Sequence, residues 1–188
     1  SVEGRRVVIY PQQKTEVYAL YKPKNCITTL SDPQGRVTIN DFFPQTSARL
    51  FPVGRLDYDA EGLILLTNDG DLAHQLMHPR HKVSKGYFVK VRGIVENKAL
   101  SGLRKGPVID DRRHQRVRVK ILHNVNDKTW LELFLKEGTN RQIKKMFQKI
   151  GYPVQKIKRF QIGSIALGDL QSGESRALSP KEIKQILN

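Results

Sequence analysis

The stretch that most constrains the fold runs from position 52 to 72, where a short apolar run lies between two polar turns. The run Leu63-Ile64-Leu65-Leu66 is continuous and short, which is typical of a strand buried on both faces. Thr67-Asn68-Asp69-Gly70-Asp71 follows it with side chains that can cap a helix. Asp57 precedes it, directly after Gly54-Arg55-Leu56. A carboxylate placed just before a buried strand is rigidly supported, so Asp57 is the first candidate for a functional group.

Three other interpretations of Asp57 are weaker or less informative. It could form a surface ion pair with Arg55. The acids from Asp57 to Glu61 also resemble the start of a calcium-binding EF-hand loop, but the twelfth position is Asn68, where a bidentate Glu is needed. A glycosidase pair of Asp57 and Asp59 is disfavoured, because residues two apart need a special turn for their side chains to converge.

The charge balance points to a polyanionic partner. The chain has 33 Lys and Arg against 18 Asp and Glu, a net charge of +15 in 188 residues, which favours nucleic acid over a membrane. No window contains the roughly 18 apolar residues of a membrane span. The single cysteine, Cys26, excludes an internal disulfide, and His74 and His78 lack the Glu of a zinc-protease helix. We therefore expect chemistry without a metal or an organic cofactor.

The hydrophobic patterns predict an α+β fold with a mixed, largely antiparallel sheet and flanking helices. Strands are predicted over 17–21, 26–29, 63–66, 84–91, 115–122, 129–135 and 157–165. Helices are predicted over 39–43, 69–77, 97–105, 143–150 and from 180 onward, with a charged loop over 106–113. The strand over 115–122 alternates so that Arg116, Arg118 and Lys120 form a basic outer face.

The helix predicted over 143–150 places basic residues close to an apolar stripe. Its apolar side chains recur at helical spacing. Thr139 or Asn140 is expected to cap its start, and Gly151 its end. Lys144 falls at the border of the apolar face, whereas Lys145 and Lys149 point away from it.

Several blocks, taken in order, resemble one enzyme family. They are Leu20-Tyr21-Lys22-Pro23, Gly54-Arg55-Leu56-Asp57 with the run to Gly70, Lys85-Gly86-Tyr87, the segment from Glu137 to Phe147, and the tail from Gly168 to Glu174. Together they are similar to the motifs of pseudouridine synthases, specifically the Rsu/Rlu branch that modifies single uridines in ribosomal RNA. The resemblance covers about residues 5–188 and implies the pseudouridine synthase fold with a central RNA-binding cleft.

The resemblance also implies roles for individual residues. Asp57 matches the catalytic aspartate, Tyr87 the tyrosine that stacks on the target base, and Lys144 the basic residue that pairs with the aspartate. Without the resemblance, Lys144 would be a solvated helix lysine and Tyr87 a half-buried strand aromatic. Whether Asp57 attacks C6 of the base or C1′ of the ribose stays open. The reaction is an isomerisation that needs no cofactor, and the target base must leave its stack to reach Asp57.

Two further groups of residues complete the predicted site. The RNA-binding candidates are Arg55, Lys85, Arg141, Lys145, Lys158 and Arg159. The residues expected to support the site structurally are Lys22, Pro23, Gly54 and Leu56. Arg55 could hold a phosphate, orient Asp57 or do neither. No metal ligand is predicted.

The chain departs from the family pattern at three positions. Ala60 stands where Thr or Ser is common, Lys144 where Arg is common, and Thr139 where a basic residue is common. Lysine offers a point charge rather than a bidentate fork. Because Asp57 is retained, we still expect an active enzyme. The alternative is an RNA-binding or ribosome-assembly factor that has the same fold but no catalytic activity.

We expect residues 15–188 to form the catalytic domain. Residues 1–14 read as a strand and linker, and they resemble the end of the alpha-L RNA-binding domain that many relatives carry. The predicted partner is ribosomal RNA, with large-subunit RNA favoured, and no membrane or small-molecule cofactor is expected. We expect a monomer in the cytoplasm of a bacterium, with an organelle as the alternative.

Overall fold

The computed structural model describes residues 14–43 and 48–186. The strands in these ranges are β1 Val17–Lys22, β2 Phe51–Val53, β3 Glu61–Thr67, β4 Lys85–Arg92, β5 Val108–Ile109, β6 Arg112–Arg113, β7 Arg118–Val125, β8 Lys128–Leu135, β9 Val154–Ile162, β10 Ile165–Ala166 and β11 Ser175–Ala177. The α-helices are α1 Gly70–Met77, α2 Ser101–Lys105, α3 Gln142–Lys149 and α4 Pro180–Gln185. The strand expected near the N-terminus lies outside the described residues.

Nine of the described strands form one mixed sheet, in the order β11-β1-β3-β9-β4-β8-β7, with β2 also on β3 and β10 also on β9. Its one parallel contact joins β3 to β9, where Glu61 lies opposite Lys158 and Gly62 opposite Arg159. Gly62 has a φ of +110°, and a Cβ there would lie 2.2 Å from the Arg159 carbonyl oxygen. Only glycine permits this approach. The predicted α+β class with a largely antiparallel sheet is confirmed.

Strand β3 is the buried centre of the first half of the sheet. All seven of its residues are buried. Leu63 and Leu65 pack with α1 and α4 on one side, while Ile64 and Leu66 pack with Ile39 on the other. Helix α1 begins where the sequence predicts, because the Asp69 carboxylate accepts a hydrogen bond from the Leu72 amide at 2.9 Å. The predicted two-sided burial of this run is confirmed.

The second half of the sheet consists of β9, β4, β8 and β7, and it packs one face against helices α2 and α3. Alternate strand residues such as Val89 and Leu133 meet Met146 and Phe147 of α3 in a single hydrophobic cluster. Burying such side chains contributes roughly 1.5–3 kcal/mol each. This packing brings the start of α3 close to the loop that precedes β3.

Three local predictions are wrong. Residues 26–29 contain no strand and only an isolated bridge between Ile27 and Thr38. The charged loop over 106–113 contains the β5–β6 hairpin, whose two-residue turn takes positive φ at Asp110 and Asp111, as tight hairpins require. Strand β7 begins three residues later than predicted, because the Val117 amide bonds to the Leu103 carbonyl of α2 instead of to β8.

Two helix predictions also need correction. Helix α2 covers only the second half of 97–105, and the first half forms turns. Helix α3 has Arg141 at its N-cap, in the left-handed region with φ of 51° and with no capping side chain. Thr139 and Asn140 therefore do not cap it. None of the helices in the described ranges is long and apolar enough to cross a membrane.

Candidate active site

One wall of the cleft is the loop between β2 and β3, which carries Asp57. The Ala60 amide bonds to the Asp57 carbonyl at 3.1 Å and closes a tight turn. The Thr28 hydroxyl donates to the Leu56 carbonyl at 2.8 Å and accepts from the Leu56 amide at 3.2 Å. These bonds fix the backbone on both sides of Asp57, whose side chain is 36% exposed. We call this loop, residues 54–60, the acidic wall.

Two buried cations support the acidic wall. Arg159 bonds to it directly, and Lys22 acts through the turn over 23–26, whose Asn25 amide donates to the Tyr58 carbonyl at 2.8 Å. Lys22 is fully buried, and its Nζ donates to the carbonyls of Pro23 at 2.8 Å and Cys26 at 2.7 Å. Burial lowers the pKa of Lys22. Arg159 is 3% exposed and donates through Nε to the Leu63 carbonyl at 2.7 Å and through Nη1 to the Arg55 carbonyl at 3.5 Å. Within the described residues, its buried Nη2 has no hydrogen-bond partner.

The opposite wall is the segment 137–144, which leads into α3. Buried Glu137 organises it through Oε1, which lies 2.9 Å from each of three nitrogens: the Gln115 amide, Gln142 Nε2 and His114 Nδ1. Gln142 in turn accepts from the Thr139 amide at 3.1 Å. These contacts fix the turn from which α3 starts. We call this segment the basic wall.

Lys144 joins the two walls. Its Nζ lies 2.6 and 2.7 Å from the two carboxylate oxygens of Asp59 and 3.4 Å from Asp57 Oδ2. Burial acts to raise the pKa of Asp59, but the hydrogen bond and charge of Lys144 outweigh it, so this pKa is lowered. The expectation that Asp57 and Asp59 do not converge is wrong. The turn closed by Ala60 directs both carboxylates toward one ammonium group.

The cleft between the walls has a volume of about 470 Å³. Tyr87 on β4 and Arg159 on β9 are paired neighbours on its floor, and Tyr87 is 6% exposed. Lys85 lies at one side, where its Nζ donates to the Val83 carbonyl at 3.1 Å. Burial and the nearby Arg159 charge lower the pKa of Lys85 to about 8. The predicted residues that line this cleft are Gly54, Arg55, Leu56, Asp57, Lys85, Tyr87, Arg141, Lys144 and Arg159.

Four of the predicted residues do not line the cleft. Lys22 and Pro23 lie behind the acidic wall. Lys145 forms an ion pair with Asp110 of the β5–β6 hairpin. Lys158 points to the other side of the sheet, where its Nζ lies 4.8 Å from the centroid of the Tyr21 ring. The RNA-binding roles of Lys145 and Lys158 stay predictions.

Sequence reasoning missed several residues that shape the site. They are Thr28, Asp59, Arg112, His114 and the bracing roles of Glu137 and Gln142. Only Asp59 had a usable signal, the polar four-residue turn that starts at Asp57. The other contacts join residues far apart in the chain. Ala60 is buried in the core, and the loop receives its hydroxyl support from Thr28 instead.

The side chains of the site suit acid–base and nucleophilic chemistry. A carboxylate, an ammonium group and a phenol meet in one cleft. The described residues contain no group of three or more His, Cys, Asp or Glu side chains that could hold a metal ion.

Comparisons with known proteins identify the family and the fold. The family model for RNA pseudouridylate synthases matches residues 16–149. The ribosomal large subunit pseudouridine synthase B of Bacillus subtilis (strain 168) is 39% identical over 99% of this chain and 76% of its own length. An uncharacterized RNA pseudouridine synthase of Aquifex aeolicus (strain VF5) is 38% identical over 99% of this chain and 74% of its own.

A solved structure is also similar. The crystal structure of a pseudouridylate synthase superposes with a TM-score of 0.84 at 31% identity, and it covers 92% of this chain and 74% of that one. The fold predicted from the resemblance is therefore confirmed. The family match includes both walls of the cleft, with Asp57, Tyr87 and Lys144. The chain belongs to the RNA pseudouridylate synthase family and is an RNA pseudouridine synthase of the Rsu/Rlu type.

Proposed function

We propose that this enzyme converts one uridine of ribosomal RNA to pseudouridine, with large-subunit RNA favoured, and that Asp57 is its nucleophile. The name of the Bacillus subtilis relative supports the choice of large-subunit RNA. The observation that carries the mechanism is the Asp57–Lys144 contact in a cleft of about 470 Å³. A cleft of this size admits a nucleotide and excludes a duplex, so the target uridine must flip out of its stack.

The reaction breaks the C1′–N1 bond, rotates the uracil and joins C5 to C1′. Asp57 attacks either C6 of the base or C1′ of the ribose, and it leaves again when the new bond has formed. The proton on C5 is lost and N1 gains one, so atoms and charge balance without an oxidant or reductant. Lys144 Nζ lies 3.4 Å from Asp57 Oδ2, so it can orient the carboxylate that attacks.

The other cleft residues serve binding. We infer that the Tyr87 ring stacks on the flipped base and that its hydroxyl lies near the proton that C5 loses. Arg55, Lys85 and Arg141 line the cleft, and we expect them to hold phosphates around the target. Arg159 Nη2 is buried and without a partner in the described residues, which suits a hydrogen bond to the bound nucleotide. The relatives named above are bacterial, and we expect this enzyme to act as a monomer in the bacterial cytoplasm.

The deciding experiment compares Asp57→Asn with Asp71→Asn. Asp57→Asn is nearly isosteric but removes the negative charge, and an amide is a very poor nucleophile. We expect it to abolish pseudouridine formation in a labelled ribosomal RNA fragment while the melting curve and RNA affinity persist. Asp71 is an exposed carboxylate on α1, and its variant should keep full activity.

Mapping pseudouridines in ribosomal RNA from cells with and without the gene identifies the target. Complementation with the wild-type gene should restore one site, and complementation with Asp57→Asn should not. Turnover by a folded Asp57→Asn enzyme contradicts the nucleophile assignment. If wild type binds the RNA but restores no pseudouridine, the chain is the RNA-binding or assembly factor of the alternative interpretation.

A further inference from the structure

The side of β9, β4, β8 and β7 that faces away from α2 and α3 carries rings and cations. We call it the back face, and its residues are Phe88, Lys90, Arg118, Lys120, Trp130, Glu132, Phe134, Lys158 and Phe160. None of its four aromatic side chains belongs to a hydrophobic core cluster of the described residues. Each ring is half-buried, so an aromatic surface remains open to solvent.

Three of the four back-face rings contact one another. Phe88 and Phe160 stack with centroids 4.3 Å apart, and Phe134 meets Phe160 edge-on at 5.7 Å. Gly86 makes room for this arrangement, because a Cβ there would lie 2.7 Å from the Phe160 ring. The small Gly86 therefore lets the Phe160 ring pack close to the backbone of β4.

Cations lie directly beside these rings. The Arg118 guanidinium lies 3.9 Å from the centroid of Phe134, and Lys90 Nζ lies 5.6 Å from that of Trp130. On the same side of β9, Lys156 is paired with Glu61. Lys120 and Lys158 add two more charges to Arg118 and Lys90, and Glu132, opposite Lys120, is the one acid among the back-face residues. Within the described residues, no carboxylate forms a salt bridge with these four cations. Such a surface favours a polyanion that also has flat rings.

A basic path connects the back face with the cleft. Arg112 lines the cleft, and Arg113, Arg116 and Arg118 follow within six residues, all of them exposed. Strand β7 is the edge strand of the sheet, so this segment passes around the edge from one side to the other. A strand of RNA leaving the cleft meets a cation at each step.

We propose that the back face is a second RNA-binding surface, which holds single-stranded RNA that leaves the catalytic cleft around the β7 edge. The inference rests on the proposed RNA substrate. Stacking on exposed rings contributes about 1–3 kcal/mol per base, and cations beside the rings hold the phosphates. Four-stranded sheets with surface aromatics bind single-stranded RNA in the same manner. The surface reads single strands, because the bases of a duplex are already stacked.

The test uses one target hairpin with and without a single-stranded extension of ~10 nucleotides, a length typical of single-strand sites. Extensions are placed at the 5′ or the 3′ end. We expect one of them to tighten the Kd of wild type about tenfold, which corresponds to ~1.4 kcal/mol. The double variant Arg118→Glu/Lys120→Glu should lose this gain and keep turnover on the bare hairpin within about twofold.

The matched control is Lys181→Glu/Lys184→Glu. Both lysines are exposed on α4, and the net charge changes by the same amount. This control should keep the gain from the extension. Equal loss in both variants, or no gain with either extension in wild type, overturns the proposal. Failure of the hairpin to be modified contradicts the proposed function and leaves the binding comparison intact.

Trp130 provides a direct readout, since it is the one tryptophan in the sequence. Oligouridine should quench its fluorescence, and Phe88→Leu should weaken the binding that this quenching reports. The bare hairpin, bound in the cleft, should leave the emission nearly unchanged. If polyglutamate displaces oligouridine equally well at equal charge, the surface recognises acidic protein segments and the RNA assignment is wrong.

Discussion

The two walls of the cleft present opposite charges, and each is braced by buried groups of the sign opposite to the one it presents. The acidic wall shows carboxylates to the cleft, and behind it Lys22 and Arg159 bind backbone carbonyls. The basic wall shows Lys144 to the cleft, and behind it Glu137 collects three nitrogens. In both walls, the charged group that faces the cleft is therefore distinct from the buried charged group that holds the backbone in place.

The buried contacts behind the two walls join residues that lie at different distances along the chain. The Arg159 contact to Leu63 spans 96 residues, whereas the contacts of Glu137 span 5 to 23 residues. Substitution of Arg159 should therefore weaken the junction of the two sheet halves. Substitution of Glu137 should affect mainly the basic wall and the neighbouring segment around His114. Four predictions test this comparison, beginning with the largest effect.

Lys144→Ala should lower turnover by about 10²–10³-fold, the size seen when one electrostatic stabiliser of an active site is removed. RNA affinity should change much less, because the other cations that line the cleft remain. Lys144→Arg should retain much of the turnover, since it keeps the charge. Single-turnover kinetics and filter binding measure the two effects. A loss confined to binding would make Lys144 a phosphate contact.

Glu137→Gln should destabilise the protein by about 1–3 kcal/mol, because buried nitrogens lose a charged acceptor. Turnover should fall by about tenfold through misplacement of Lys144, since a displacement of about 1 Å is costly in an active site. Chemical denaturation and kcat measure the two effects. The exposed Glu96 provides the control variant Glu96→Gln. Loss of stability with unchanged kcat would show that Glu137 supports the fold alone.

Asp59→Asn should change turnover by no more than about fivefold, because exposed ion pairs contribute about 0–1 kcal/mol. The variant frees Lys144 to approach Asp57 more closely. Single-turnover kinetics on the labelled RNA fragment measure this effect. A loss of about 10²-fold or more would mean that Asp59 takes part in the reaction and does not only bind Lys144.

Lys85 should make RNA binding weaken by about threefold between pH 7 and 9, since its folded pKa of about 8 means that it loses its charge there. Lys85→Arg should bind independently of pH over this range. The contribution of Lys85 to protein stability changes with pH in the opposite direction to its contribution to RNA binding. The folded pKa of about 8 lies below the unfolded value of about 10.4. The buried charge of Lys85 therefore destabilises the folded protein below pH 8, and this penalty fades as the pH rises from 8 to about 10.4. Lys85→Met should therefore raise the melting temperature more at pH 7 than at pH 10.

Much of the fold follows from local patterns. The apolar run of β3, the cap at Asp69 and the alternation of β8 can be read directly, because burial and capping depend on near neighbours. The β5–β6 hairpin was missed because nothing near Asp110 and Asp111 in the chain shows that both take positive φ. The start of β7 was missed because its competitor is the distant Leu103 carbonyl.

The residues of the site can be divided in the same way, into those that local motifs predict and those that depend on distant contacts. Asp57, Tyr87 and Lys144 were predicted to belong together from ordered motifs, and they line one cleft in the structure. The motifs could not reveal that Lys144 is shared with Asp59, since the sharing depends on a single turn. Thr28 and His114 were not predicted, because each acts through hydrogen bonds to residues more than 20 positions away.

The parallel junction of β3 with β9 has a consequence for biosynthesis. Pairing strands whose partners lie some 97 positions apart requires closure of a long loop, and such contacts form late in folding. On a translating ribosome, residues 61 to 67 emerge long before Arg159 is made. The acidic wall then lacks its guanidinium brace, and the nascent chain holds Asp57 without a finished cleft around it. The cleft, which Arg159 also lines, is thus complete only after β9 has been synthesised.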